Sequence, residues 1–401
     1  MFGAIEIFLL SVSVLFIVLV KCTDKNPPPI FGIYQRKSGL YWFKVLFLYL
    51  IFNLHQIKQF FKEYELNKFE KFEKPQKMPV GFEKATDVVT FTGANKNGDY
   101  LIVNFGKRHQ SVDGYFFLKI KDSQLGVLAL ANYPDNELKK AAENDYEYST
   151  EGIELICVEP LKKWRIIYKG KMVQVDNTKI DHEVEIEGVW TSDLPAFDKA
   201  TNLDYLNTAK CIAYEKLNKT YFNNLKTGKR DVYDQCGILQ LKVTIGAKNY
   251  KLVLDTSKSR SIENNTDDSL YYKAGFHQFS TENGDFFNVG QACVPLIASR
   301  LSGGFVYNAK HKEFYPVQKC SFELYKYGGI DASPDDYGFT FRAGDKDYAV
   351  IVAAKDAPYV YSGPNWETKT YLKMSTFKVN GKQGWGVAKW IYRNVDGKDV
   401  K

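Results

Sequence analysis

Beyond Pro79 the chain alternates apolar and polar positions in short runs. Tyr100–Phe105, Tyr115–Ile120 and Leu125–Ala131 read as strands, as do Ile153–Val158, Trp164–Tyr168 and Val184–Val189. Gly, Asn or Asp bounds each run at a spacing of about 8–12 residues, which predicts a sandwich or barrel. A helical insert is expected at Asn136–Asn144, capped by Asp135. Between Phe197 and Gly228 the period lengthens: Leu203, Leu206, Ile212, Ala213, Leu217, Tyr221 and Leu225 share a helical face, and Gly228 is a natural stop. The clearest strand follows, with Leu239, Leu241, Val243 and Ile245 alternating with Gln240, Lys242 and Thr244. A turn at Gly246-Ala247-Lys248-Asn249 leads into Tyr250–Leu254, a hairpin with one wet face. Later strands are expected at Phe286–Val294, Gly304–Tyr307, Ser321–Tyr327, Tyr337–Arg342, Tyr348–Ala353 and Trp385–Tyr392. The pattern predicts an all-β fold: antiparallel domains over residues 80–196 and 230–396, joined by a helical connector over 197–229. Closed or nearly closed barrels suit it, because closure hides strand edges and leaves room for one small apolar ligand.

The N-terminal region is patterned differently. Phe2–Val20 (FGAIEIFLLSVSVLFIVLV) carries one charge, Glu6, and about 20 apolar residues suffice to cross a bilayer core. No Lys or Arg precedes the run and no small-residue cleavage site follows, so residues 1–21 read as a transmembrane anchor rather than a cleaved signal. Residues 22–79 hold a second apolar stretch, Leu40–Leu54, with Lys44 inside it and Tyr41 and Trp42 suited to the headgroup level. It reads as an interfacial helix, a second span, or a helix buried against the β domains. His55–Lys77 places Phe60, Phe61, Tyr64 and Phe72 at near-helical spacing among Lys and Glu, an amphipathic helix ended by Pro75 and Pro79. Lys21, Lys25, Arg36 and Lys37 follow the anchor and set that flank in the cytosol. The β domains then face the cytosol, or the lumen if Leu40–Leu54 also spans. The expected location is a membrane, through a single pass or a hairpin.

Composition narrows the function. An aromatic content of 15%, with 27 Tyr and 28 Phe, favours pleated half-buried surfaces over helical bundles. The net charge of +7 comes with no recognisable nucleic-acid motif, so membrane lipid and a hydrophobic small molecule are the expected partners, with no nucleic acid. Cys22, Cys157, Cys211, Cys236, Cys293 and Cys320 are scattered without a C-x-x-C, and read as free thiols unless the domains are lumenal. His55, His109, His182, His277 and His311 share no metal-ligand spacing, and phosphate, dinucleotide and hydrolase motifs are missing. No metal and no cofactor are expected.

Four longer stretches stand out: Glu151–Lys171 (EGIELICVEPLKKWRIIYKGK), Tyr233–Gly237 (YDQCG), Asn288–Cys293 (NVGQAC) and Phe377–Asn394 (FKVNGKQGWGVAKWIYRN). Together they resemble an animal and bacterial family of two-domain lipocalin-like proteins. Its superfamily includes carotenoid 1,2-hydratase-like and AttH-like proteins and fungal pericyclase relatives. The resemblance covers about residues 80–395 and rests mainly on the W-R-I-x-Y-x-G and G-W-G-x-x-x-W-x-Y-R-N runs. It implies two lipocalin-like β-barrel domains side by side, and an N-terminal anchor of the kind that animal relatives carry. Where the family has an Arg-Asp-His-Ser/Thr motif, this chain has Lys258-Ser259-Arg260-Ser261, without the Asp and the His. Gln235 stands at the family's glutamine, and Trp385 and Trp390 at its tryptophans.

The candidate ligand-binding residues are Trp164, Tyr233, Gln235, His277, Trp385 and Trp390; no catalytic residue is assigned. Indoles give flat apolar walls with one donor each, Gln235 is a ligand contact or a buried hydrogen-bond hub, and His277 a proton donor or a surface residue. Lys258 and Arg260 read as a solvated loop, with the binding of a ligand carboxylate as the alternative. The leading expectation is a membrane-anchored binding protein for a hydrophobic small molecule, lipid or isoprenoid. The alternative is a cofactor-free cyclase, isomerase or hydratase acting on a polyene or terpenoid, and a third is a scaffold without ligand. A buried acid or His near Gln235 favours the enzyme, a greasy cavity the binder, and filled barrels the scaffold.

Overall fold

The computed structural model describes residues 10–16, 18, 26–61, 68–77, 81–139, 148–219, 221–223, 230–264, 270–295, 297–329 and 333–397. Helices α1 (Tyr41–Phe61) and α2 (Lys68–Glu73) precede the strands. Then come β1 (Thr86–Ala94), β2 (Tyr100–Lys107), β3 (Val112–Lys119), β4 (Val127–Leu130), β5 (Glu137–Leu138), β6 (Tyr148–Thr150) and β7 (Ile153–Glu159). β8 (Lys163–Gln174), β9 (Asn177–Thr191) and β10 (Phe197–Asp198) lead to α3 (Tyr205–Ile212), followed by β11 (Arg230–Ile245) and β12 (Lys248–Glu263). The remaining strands are β13 (Lys273–Thr281), β14 (Phe286–Val294), β15 (Ala298–Asn308), β16 (Glu313–Cys320) and β17 (Asp336–Ala343). β18 (Lys346–Asp356), β19 (Tyr359–Ser362), β20 (Thr368–Val379) and β21 (Lys382–Arg393) complete them.

Two antiparallel barrels of eight strands result. In the first, β11-β12-β1-β2-β3-β4-β8-β9 closes because β9 pairs with both β8 and β11. In the second, β18-β17-β16-β15-β14-β13-β21-β20 closes through β18–β20. The β11–β12 hairpin, expected to open the second domain, therefore completes the first. Its alternation is as expected, with Leu239, Leu241, Val243 and Ile245 turned into the barrel core. The turn is tighter than expected: Ile245 pairs with Lys248, and Gly246 takes a positive φ of 58°.

Alternate faces of the same strands build different cores. Leu101, Val103, Phe105, Phe116 and Leu118 fill the first barrel, while Tyr100, Ile102, Tyr115 and Phe117 face the second barrel's Val360, Leu372, Met374 and Val387. Such double burial explains the unbroken YLIV run at the start of β2. The Tyr100 hydroxyl donates to Ser375 O at 3.1 Å, and Trp385 Nε1 to Asp255 Oδ2 at 2.8 Å, across this seam.

Helical expectations fare unevenly. The connector begins as a strand, β10 on β11, then turns helical at Tyr205–Ile212, α3, capped by Asp204 accepting from Asn207 N at 2.6 Å, and is helical again at Lys219 and over residues 221–223. Of the insert at 136–144, Glu137–Leu138 pairs with β3 instead, and residues 140–147 lie outside the described residues. Ser321–Tyr327 is not a strand: Phe322 and Leu324 are buried in the second barrel's core, and Leu324–Lys326 makes a 3₁₀ turn.

The membrane expectation is overturned. Among the described residues no helix is long and apolar enough to cross a membrane. Of the expected anchor, residues 1–9, 17 and 19–21 lie outside the described residues, and Phe16 stacks on Phe47 of α1 at 4.0 Å. Leu40–Leu54 corresponds to α1, which runs on into His55, Gln56, Lys58 and Gln59, so its apolar stretch is too short. Tyr41, Val45 and Leu48 dock on Ala209, Ile212 and Ala213 around α3, and the buried Lys44 donates to Glu215 O at 3.2 Å. Trp42, Phe43, Leu46 and Leu50 remain exposed.

Candidate functional site

The inward face of β12 reads Leu252, Leu254, Thr256, Lys258, Arg260, so the barrel interior is apolar along most of its length and cationic at one end. Lys258 and Arg260 are both buried, which corrects the solvated-loop expectation; they share the parity of the apolar positions before them. Helix α2 lies over this end and supplies Glu73. Its carboxylate accepts from Lys258 Nζ at 2.7 Å on each oxygen, from Trp164 Nε1 at 2.6 Å, from Leu161 N at 3.0 Å and from the Tyr233 hydroxyl. Arg260 donates to Asp87 Oδ1 at 2.6 Å and Val88 O at 2.8 Å, and turns its Nε and Nη2 onto Phe72 O. Asp87 Oδ2 accepts from the Tyr148 hydroxyl and from Gln76 N, each at 2.7 Å.

Burying each of these ions costs several kcal/mol, which the cluster offsets only because nearly every lone pair is used. The rings help: Lys258 Nζ lies 4.4 Å from the centre of Trp190 and 5.6 Å from that of Trp164, and Arg260 lies 5.3 Å from that of Tyr148. Burial nevertheless pulls the Lys258 ammonium down to about 8, with Glu73 opposing the fall. Trp164 and Trp190 face each other across β8 and β9, and Phe91 packs edge-on against both. Gly237 permits this, since a Cβ there would sit 2.8 Å from the Trp190 ring and 2.5 Å from Thr191 O. Two buried polar atoms beside the cluster, Trp190 Nε1 and Gln235 Oε1, have no partner.

The structure gathers three of the six expected site residues here. Trp164 and Tyr233 bind Glu73 directly, while Gln235 donates to Leu161 O at 2.6 Å and Leu194 O at 2.7 Å, a hydrogen-bond hub with its oxygen left free. His277 and Trp390 lie in the second barrel. His277 is fully buried, not on the surface, and burial lowers its pKa to about 4. The Val289 carbonyl, 3.0 Å from Nδ1, can only accept, so Nδ1 carries the hydrogen and Nε2 accepts from the Tyr337 hydroxyl at 2.7 Å. Trp390 Nε1 donates to the same hydroxyl at 3.2 Å. Phe322, Phe339 and Phe377 close around the imidazole, so it is no proton donor at neutral pH. Trp385 belongs to neither interior; it borders a seam crevice with Asp255, Ser257, Gln278 and Phe305 that has room for about one water.

Sequence reasoning missed Glu73, Asp87, Tyr148 and Trp190. The signal for them was indirect, two cations on the apolar face of a strand that must find buried anions. Among the described residues no three His, Cys, Asp or Glu side chains gather as a metal site.

Comparison with known proteins fits this architecture. A sequence model for a family of unknown function, DUF8627, matches residues 8–392. The chain belongs to that family. No curated protein matches it. Among solved structures it resembles an AttH protein from Nitrosomonas europaea at 9% identity and a TM-score of 0.52, over 80% of this chain and 98% of the other. It also resembles kievitone hydratase from Nectria haematococca (11% identity, TM-score 0.48, 82% and 94% covered). CghA is a third such structure (8% identity, TM-score 0.42, 78% and 89% covered). At so low an identity the likeness to AttH shows the fold alone, the lipocalin-like double barrel that the sequence motifs imply.

Proposed function

We propose that this DUF8627 protein is a cofactor-free proton-transfer enzyme, an isomerase, hydratase or cyclase acting on an apolar unsaturated molecule such as a polyene or terpenoid, inside the first barrel. The observation that carries this is the Lys258–Tyr233–Glu73 hydrogen-bonded group set among Trp164, Trp190 and Phe91. General acid–base transfer to a polarised, conjugated double bond calls for a donor whose pKa lies near the working pH and a wall that tolerates positive charge. Lys258, drawn down to about 8, meets the first need. The ring faces that already hold its ammonium meet the second, since an indole face attracts any cation placed over it. Tyr233 is the second proton-bearing group. In an isomerisation the proton leaves a neighbouring carbon, so the balance closes without a co-reactant; in a hydration, water captures the cation and returns the proton.

The test is incubation with a panel of terpenoids and polyenes in D₂O, read by mass spectrometry. Wild-type protein is expected to incorporate deuterium or form an isomer or hydrate of one class, with the rate falling at least 100-fold in Lys258→Met. Absence of incorporation and of product across the panel overturns the proposal. It would favour a ligand-free scaffold, the reading supported by the packing of Trp164, Trp190, Phe91 and Phe105 across the first interior.

A further inference from the structure

The charges at the mouth of the first barrel are unevenly placed. Three buried cations, Lys258, Arg260 and Lys107, and one anion, Asp87, stand on its strands β12, β2 and β1, whereas the second anion, Glu73, arrives on α2, a helix of six residues. Withdrawing α2 takes away the counter-charge of Lys258. It also uncovers donors aimed at one spot: Lys258 Nζ, Trp164 Nε1, the Tyr233 hydroxyl and Leu161 N, all now on the Glu73 carboxylate. The Nε/Nη2 edge of Arg260, the fork that grips a carboxylate through two parallel bonds, now meets peptide oxygens only, that of Phe72 and, from Nη2 at 3.5 Å, that of Lys74. Next to these donors the fully buried Trp190 Nε1 and Gln235 Oε1 have no partner. Beyond them the barrel is apolar and aromatic.

We propose that this mouth is a binding site for an apolar monocarboxylic acid, and that α2 is its built-in competitor, with Glu73 in the place of the ligand's carboxylate. One negative charge replaces the one that α2 withdraws, and a neutral ligand would leave the buried Lys258 without its counter-charge. The hydrocarbon part of the acid runs into the barrel past Trp164, Trp190 and Phe91, which repack around it. This rests on the reading of the first barrel as the substrate site and narrows its substrate class to unsaturated acids.

The test is binding without turnover, using cis-parinaric acid, a fluorescent polyene acid, and its methyl ester. Glu73→Gln removes the competing charge and is expected to bind the acid at least tenfold more tightly than wild type, with no such gain for the ester. Arg260→Lys keeps the charge but loses the fork, and is expected to weaken acid binding at least tenfold. In wild-type protein the acid is expected to speed hydrogen exchange at the Gln76 amide, which the flank of α2 holds on Asp87. This last readout needs no variant to fold. Equal binding of acid and ester overturns the charge assignment while leaving the first barrel as an apolar site. Unchanged exchange at saturating acid overturns α2 as the competitor. Acid binding as expected, with no deuterium incorporation in the turnover test, upholds this site and removes only the enzymatic reading.

Discussion

At the scale of a residue, His277 shows what burial without a counter-charge does. Its imidazole is enclosed by rings, bonded at both nitrogens by neutral groups, and held neutral by a pKa lowered to about 4. An unfolded histidine takes up a proton near pH 6.5. Between these values the unfolded chain binds a proton that the folded chain refuses. The stabilisation from His277 is therefore fully present above about pH 6.5 and is lost as pH falls through about 4, a difference of up to about 3 kcal/mol. The His277 ring signals in NMR are expected to titrate near pH 4, and the acid limb of stability from pH 6.5 to 4 to flatten in His277→Gln. A midpoint near 6.5 would contradict this account. The sequence singled out His277 as a candidate, but its burial was not legible there. The strand AGFHQFS lacks clean alternation because both its faces are covered, so its inward parity is hidden.

At the scale of an element, α2 is held from outside itself. Six residues reading KFEKFE make little helix on their own. What fixes them is Glu73 on Lys258, Phe72 O on Arg260, and Phe69 against Tyr233, with ring centres 4.8 Å apart. Lys258→Met strands Glu73 in a buried site and is expected to cost about 3–5 kcal/mol in urea unfolding. The double variant Glu73→Gln/Lys258→Met removes both charges of this pair and is expected to lose less than the single. A double variant as unstable as the sum of the two singles would show that the pair is not coupled. The strands themselves were largely readable, because runs such as Leu239 to Ile245 follow period two. Their partners were not. Glu73 lies 185 residues from Lys258, and no local period links a short helix to a strand that far away.

At the scale of the whole molecule, the barrels share a core and not merely a linker. Met374 is fully buried at the seam, in the cluster with Tyr100, Ile102 and Phe117 of the other barrel, and Lys119 pairs with Asp356 across it. Met374→Ala is expected to destabilise the protein by about 2–5 kcal/mol. If the seam couples the barrels, circular dichroism and tryptophan fluorescence should trace one transition in both proteins. Two separated transitions in the wild type would mean that each barrel stands alone. The number of β units was readable from the sequence, while the boundary between them was not, because the hairpin after the connector returns to close the sheet begun before it.

That return dictates an order of events at the ribosome. A nascent chain that has emerged only as far as the connector holds β1-β2-β3-β4-β8-β9, a sheet whose two outer strands are those that later receive β12 and β11. Until residue 263 is outside the exit tunnel, this sheet has exposed ladders and no wall behind Trp190. Cutting the chain at residue 229, where its helical pattern ends, should accordingly yield a fragment that associates through its strand edges, whereas a cut after residue 263 falls between two closed rings.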